Sequence, residues 1–378
     1  MSAMQYRILG KTGVRVSALG FGAMRLPTLG KESDVDEPAA IEMIRYAIDR
    51  GVNYVDTGYP YHAGNGEAVV GRALVGGYRQ KVHLAAKLPI WSVQQRADCG
   101  RLFDEQLAKL QTDYFDFYLL HCLQKKFWPK MRELGALEWA ERLRADGRIR
   151  HFGFSFHDTF EAFAEILEGY DWSFCQIQYN FTNEDVQAGT KGLKLAAEKG
   201  LGMIIMEPLF GGALANPPPP VRAVWQSASR SHPVDLALRW LWNKPEVSLV
   251  LSGMSTLEQV RENLEIAARA EVGGLTAEES DLIGRVQQEY RGLSPIPCTK
   301  CGYCMPCPNG VDIPVNLELY NHATVFQGSP VVLCRNLYYS LPEAQRASAC
   351  ADCGQCEERC PQQIPIRSSL DRVQEQFQ

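Results

Sequence analysis

Eight of the chain's twelve cysteines are packed into two short runs near the C-terminus, and their spacing dictates what that region can fold around. The first run is Cys298, Cys301, Cys304 and Cys307-Pro308; the second is Cys350, Cys353, Cys356 and Cys360-Pro361. Three thiols at two-residue gaps can wrap one face of a small iron–sulfur cube, so the fourth ligand comes from elsewhere. In two-cluster chains with this C-x2-C-x2-C-x3-C-P pattern, the last cysteine of each run ligates the other cluster. The first run is one residue shorter before its last cysteine. The spacing predicts one [4Fe-4S] cluster on Cys298, Cys301, Cys304 and Cys360, and a second on Cys350, Cys353, Cys356 and Cys307. Zinc knuckles need only paired cysteines and no following proline. A disulfide framework belongs to secreted chains, and the opening MSAMQYRILG has neither a basic n-region nor an apolar h-region. The expected setting is therefore the reducing cytoplasm. Cys99, Cys122, Cys175 and Cys334 lie outside the runs and are expected as buried free thiols.

Ahead of the runs, short β-rich apolar stretches alternate with amphipathic ones. The strand candidates are 19–24, 53–56, 82–86, 115–120, 151–154, 174–178, 202–206 and 248–251. Helical periodicity covers 39–50, 67–75, 95–110, 130–146, 160–167, 185–199, 233–242 and 256–268. Strand–helix alternation implies a parallel sheet, and eight units in roughly 250 residues is the size of a (β/α)8 barrel. A doubly wound sheet is disfavoured, because no G-x-G-x-x-G follows the first strand. The stretch YRILGKTGVRVS reads as a β-hairpin closing the barrel floor. The expected domains are a barrel over 1–275, and a linker helix with a small, mostly helical cluster domain over 276–378. A net charge of −5 argues against a nucleic-acid partner, and no apolar run is of membrane-spanning length.

Barrel enzymes place chemistry at the C-terminal ends of strands. Those ends carry Asp56, Lys87, His121, Ser155, Gln178, Glu207 and Ser252. One such residue is an ordinary cap or turn; their recurrence around the ring predicts a site.

The segments YRILGKTGVRVSALGFGAMRLP, NYVDTGYPYHAGNGEAVVGRAL, LAAKLP, FDFYLLHC, GRIRHFGFSFHD, IQYN and SGMSTLEQVRENLE occur in the order seen in aldo-keto reductases, and residues 4–270 resemble that family. The tail resembles the dicluster ferredoxin-type extension of one branch, with connecting helices expected at 315–326 and 342–349. The resemblance implies an oxidoreductase that moves hydride between a nicotinamide and a small carbonyl or alcohol. Its tetrad maps to Asp56, Tyr61, Lys87 and His121. Tyr61 would be the proton donor, its pKa lowered by Lys87; Asp56 would hold Lys87, and His121 would orient the carbonyl. Ser155 and Gln178 would hold the nicotinamide. Glu207, Leu209 and Gly211 would line the pyrophosphate path. Ser252, Gly253, Ser255, Thr256, Gln259, Glu262 and Asn263 would meet the adenosine end. The chain departs from the pattern at Phe156, where relatives carry Asn, and at Gly253 and Gln259, where NADPH users carry Lys and Arg. NADP and NAD both remain open. Met24, Tyr59, Trp91, Phe127, Trp128 and Phe210 are expected around the substrate.

Clusters take single electrons whereas nicotinamides give hydride. One expectation is thus electron transfer through a mediator such as a flavin, with a redox partner protein. The alternatives are a plain reductase with structural clusters, or an electron-carrier subunit with an idle barrel.

Overall fold

The computed structural model describes residues 3–228, 232–298, 300–326 and 328–378. The chain divides into two compact units, Met1–Pro208 with Ala237–Leu275, and Leu209–Leu236 with Thr276–Gln378.

In the first unit, an antiparallel hairpin of β1 (Tyr6–Ile8) and β2 (Arg15–Ser17) precedes eight strands. These are β3 (Leu19–Gly22), β4 (Tyr54–Asp56), β5 (His83–Leu88), β6 (Phe115–Leu123), β7 (Ile149–Phe156), β8 (Phe174–Gln178), β9 (Gly202–Met206) and β10 (Leu249–Gly253). They pair in parallel in chain order, and β10 returns to β3 to close the barrel. The helices between them are α1 (Glu37–Ile48), α2 (Gly66–Leu74), α3 (Arg96–Leu110), α4 (Trp128–Glu133), α5 (Ala136–Ala145), α6 (Phe160–Glu168) and α7 (Gly189–Glu198). Next come α8 (Pro219–Gln226) of the second unit, α9 (Pro233–Trp242), whose chain crosses between units, and α10 (Leu257–Ala267). Leu9 and Val16 of the hairpin are fully buried with Tyr54, Phe117, Phe174, Ile204 and Leu249. Each contributes about 1.5–3 kcal/mol by leaving water, and together they plug the floor of the barrel. That leaves the opposite end, where the strands finish, open for polar residues.

The helix expected over 130–146 is two helices, because Gly135 takes φ +68 and breaks the run. The helix expected from 185 begins at Gly189, where φ is +55. Strands β5, β6 and β7 run longer than their apolar cores suggested, so Lys87, His121 and Ser155 sit within the last residues of strands.

The second unit contains α11 (Ala277–Gly292), α12 (Ile313–Val325), α13 (Ser329–Ser340), α14 (Gln355–Glu358) and α15 (Ile366–Phe377). It also takes the segment 209–236, which the sequence assigned to the barrel. The reason is packing: Phe210 meets the rings of His322 and Phe326, and Arg285 on α11 donates to Ser227 Oγ at 3.2 Å. The stretch 342–349 is not a helix but two short 3-10 turns. There Asn316 captures the backbone: its Nδ2 donates to the Gln345 carbonyl at 2.8 Å, and its Oδ1 accepts from the Ala347 N–H at 2.9 Å.

This unit repeats itself, which the sequence alone did not reveal. Lys300 and Gly302 in the first cysteine loop are left-handed, at φ +54 and +76; Asp352 and Gly354 in the second are at +54 and +75. After the last cysteine of each run, the N–H of Gly310 turns back to the Cys307 carbonyl and that of Gln363 to the Cys360 carbonyl, both at 3.0 Å. Buried Val311 and Ile313 then match buried Ile364 and Ile366, and α12 and α15 start at Ile313 and Ile366.

Candidate functional site

Four residues converge at the C-terminal end of the barrel. Asp56 ends β4 and Lys87 lies on neighbouring β5; both are buried, and Lys87 Nζ donates to Asp56 Oδ1. Lys87 also donates to the Thr57 carbonyl at 2.6 Å. Tyr61 heads the turn after β4, half-buried, with Lys87 Nζ 5.0 Å from its ring centroid. The His121 ring, on β6, stands edge-on to Tyr61 with centroids 5.8 Å apart. The Trp91 ring also packs on His121, tilted, with centroids 5.1 Å apart.

The charges follow from burial. Burial pulls the Lys87 ammonium down, but Asp56 and Tyr61 more than offset this and hold it above its ordinary value. Burial pushes the Tyr61 phenol up to about 12, and Lys87 only partly counters it. This corrects the expectation of a lowered tyrosine: desolvation outweighs the neighbouring ammonium. Burial, with Lys87 and His157 adding to it, holds His121 well below the usual histidine range, so the ring is neutral. Its Nδ1 has no hydrogen-bond partner among the described residues.

Two supports were not foreseen. Gln176 on β8 donates to Asp56 Oδ2 at 2.7 Å, fixing the carboxylate from across the barrel. The signal was readable: Phe174, Gln176 and Gln178 alternate along one face of a strand, and polar residues on an inward face demand partners. Behind β5, buried Gln106 on α3 donates to Glu67 Oε1 at 2.5 Å and to the Lys87 carbonyl at 3.1 Å, while accepting from Tyr118 at 2.7 Å.

The residues expected to bind cofactor lie on the following strand ends. Ser155 Oγ accepts the Cys122 N–H at 2.8 Å, and Gln178 Oε1 accepts from Gln187 at 2.6 Å. The Ser155 hydroxyl proton and the Gln178 amide take no other partner among the described residues, which suits a nicotinamide carboxamide. Phe156 is buried against Phe154 and Phe163. Glu207 follows β9 at φ +53; burial pushes its carboxyl up to about 7, with Arg25 pulling the other way. Ser252 Oγ accepts from Asn263 at 2.9 Å. Ser255 N–H donates to Gln259 Oε1 at 2.8 Å, Thr256 Oγ1 caps the Gln259 N–H at 3.3 Å, and Glu262 is half-buried on α10. Leu209 and Gly211 belong to the second unit.

Of the aromatic and apolar residues expected around the substrate, Trp91 is at the site and Met24 is exposed near β3. Trp128 is core, 2% exposed against Trp172. Tyr59 instead bonds Glu105 at 3.1 Å beneath Lys109. Phe127 is half-buried with Lys126 over its ring, and Phe210 is buried in the second unit.

In the second unit a cavity is lined by Cys298, Cys301, Cys304 and Cys360, the four thiols assigned to one cluster from spacing. Burial raises Cys298, and the Cys301 and Cys360 thiols raise it further. Cys304, pushed up to about 11 by burial, also feels Cys298, Cys301 and Cys356; Cys356, itself raised mainly by burial, feels Cys350. Cys307 and Cys350 are half-buried and Cys353 is exposed. Among the described residues, no three potential donors converge as around a single metal ion. Four soft thiols around an apolar-walled cavity fit an iron–sulfur cube.

The aldo/keto reductase family profile matches residues 18–283, and a 4Fe-4S dicluster profile matches residues 297–364. The chain is 26% identical over 326 residues to L-galactose dehydrogenase of Arabidopsis thaliana, covering 78% of this chain and 98% of that one. It is 26% identical to the NADH-specific methylglyoxal reductase of Escherichia coli, covering 68% of this chain and 91% of that one. Among solved structures, the holo form of aldo-keto reductase AKR11C1 from Bacillus halodurans superposes with a TM-score of 0.63 at 27% identity, covering 75% of this chain and 96% of that one. No helix among the described residues is long and apolar enough to cross a membrane.

Proposed function

Because the chain belongs to the aldo/keto reductase family, an oxidoreductase family, we propose that its barrel reduces a small carbonyl compound with a nicotinamide cofactor, and that its tail carries two [4Fe-4S] clusters. The observation that carries the reading is the convergence of Asp56, Lys87, Tyr61 and His121 at one barrel mouth.

A bound nicotinamide supplies the hydride. Ser155 and Gln178 orient its carboxamide. Neutral His121 gives one ring N–H to the carbonyl oxygen, aligning it without adding charge. Tyr61 then protonates that oxygen. A phenol held at about 12 stays protonated throughout the physiological range, which suits an acid meeting a developing alkoxide. Lys87, fixed by Asp56, stabilises the tyrosinate left behind, and Gln176 fixes Asp56. The direction served best is therefore reduction.

Tyr61→Phe should lower NADH- or NADPH-driven aldehyde reduction by roughly 10²–10⁴-fold while leaving nucleotide binding unchanged. Undiminished turnover would refute Tyr61 as the acid.

The clusters are read as a single-electron relay open to a partner protein at exposed Cys301 and Cys353. Linking them to hydride chemistry needs a two-electron mediator such as a flavin. Adding NADH anaerobically to holoprotein separates the cases: bleaching of cluster absorbance marks one electron path, and an unchanged band marks two independent ones.

A further inference from the structure

The barrel mouth contains a cation that the tetrad does not use. Arg25 ends the 3-10 turn Ala23–Arg25 after β3 and is half-buried. No carboxylate among the described residues lies within ion-pair distance of it. Its stem lies across Gly253 at the end of β10: a Cβ built on Gly253 would stand 2.7 Å from Arg25 Cγ and 3.1 Å from Arg25 Cβ. Gly253 is thus a glycine because Arg25 fills the volume its side chain would need. Ser255 Oγ donates to the Arg25 carbonyl at 2.8 Å, pinning the turn. Strand β10 pairs with both β3 and β9, and the Arg25 charge is felt by Glu207 at the end of β9. The Arg25 side chain therefore starts at the paired ends of β3 and β10.

The start of α10 is different. Its donors are spent internally, Ser255 N–H on Gln259 and Gln259 N–H on Thr256. Glu258 adds an exposed carboxylate. Arg261 turns away, with its guanidinium carbon 5.4 Å from the Tyr46 ring centroid.

We propose that Arg25 is the cation that takes the diphosphate of the dinucleotide, and that the 2′-phosphate of NADPH meets no positive partner. This rests on the nicotinamide reading above and adds the cofactor preference: NADH and NADPH bind about equally. A planar guanidinium fork grips two phosphate oxygens at once, and a half-buried cation without a carboxylate is prepared for an anionic ligand.

The test is anaerobic calorimetric titration of full-length holoprotein with NADH and with NADPH. The wild type should bind the two within about a factor of three. Arg25→Met should weaken both in parallel by roughly 10–100-fold, and Arg25→Lys, a point charge without the fork, should recover part of the loss. That recovery distinguishes a lost contact from a misfolded variant. Unchanged binding in Arg25→Met overturns the proposal, as does a loss confined to NADPH, which would make Arg25 a 2′-phosphate reader. Wild-type protein that binds neither nucleotide refutes the nicotinamide reading itself, and the Arg25 inference with it.

Discussion

Replacing Gln106 by leucine should destabilise the barrel far more than its distance from solvent-facing chemistry suggests. Gln106 is completely buried, and its carboxamide serves three groups at once: the Glu67 carboxylate, the Lys87 carbonyl and the Tyr118 hydroxyl. Leucine leaves all three without that partner. A buried orphan costs about 1–3 kcal/mol, more for a charged group, and new apolar burial returns a part. The expected net loss is about 3–5 kcal/mol, or roughly 6–20 °C in melting temperature for a domain of this size. Equilibrium urea unfolding under anaerobic conditions, followed by tryptophan fluorescence, reads it directly. The loss should also depend on pH. Burial raises the Glu67 carboxyl, and the Gln106 N–H, Lys109 and Lys87 oppose that rise. Without Gln106 it rises further, so the folded state holds its proton more tightly than the unfolded state does. Stability is then lost as pH climbs above the ordinary carboxylate range, and the deficit is larger at pH 8 than at pH 5. Adding Glu67→Leu and Tyr118→Phe to Gln106→Leu removes two of the orphans and should recover at least half of the loss. A single variant within about 1 kcal/mol of wild type, or a triple variant no better than the single, would refute this account of the network.

Two further outcomes are expected. Cys360→Ala and Cys307→Ala should each remove one cluster and leave the other, so iron content falls by about half in both and paramagnetic resonance of the reduced proteins differs; loss of the same signal in both would refute the exchange of ligands between runs. Nucleotide affinity should fall as pH rises through about 7, because Glu207, raised there by burial against the pull of the Arg25 charge, loses its proton and repels a diphosphate; Glu207→Gln should flatten that dependence, and an unchanged slope would exclude Glu207 as its source.

The barrel was legible because each strand is a short apolar run closed by a polar residue, and Asp56, Lys87 and His121 stand at those closures. Cys298, Cys301, Cys304 and Cys360, grouped by spacing, line one cavity. Gln106 and Glu67 were not legible, since their partners lie on other elements and only tertiary packing pairs them; Gln176 was readable as a polar residue on an inward strand face, but its partner Asp56 was not. Residue type likewise could not weigh burial against Lys87 at Tyr61. Helix α15 had a visible stripe in Ile366, Leu370, Val373 and Phe377, whereas α13 lacks so clear a face. The repeat in the tail stayed hidden because, beyond the shared C-x2-C-G-x-C stretches, its halves share backbone turns and buried positions rather than residues, and one extra residue in the second run shifts the register.

That repeat carries a consequence for biosynthesis. If each half lends its last cysteine to the other, neither half captures a cluster alone. Cys298, Cys301 and Cys304 are made before Cys360 and must wait for it. Completion of the first site is then decided after every barrel strand has been made, and a nascent chain cut short before Cys360 yields protein with an incomplete first cluster site however intact its barrel.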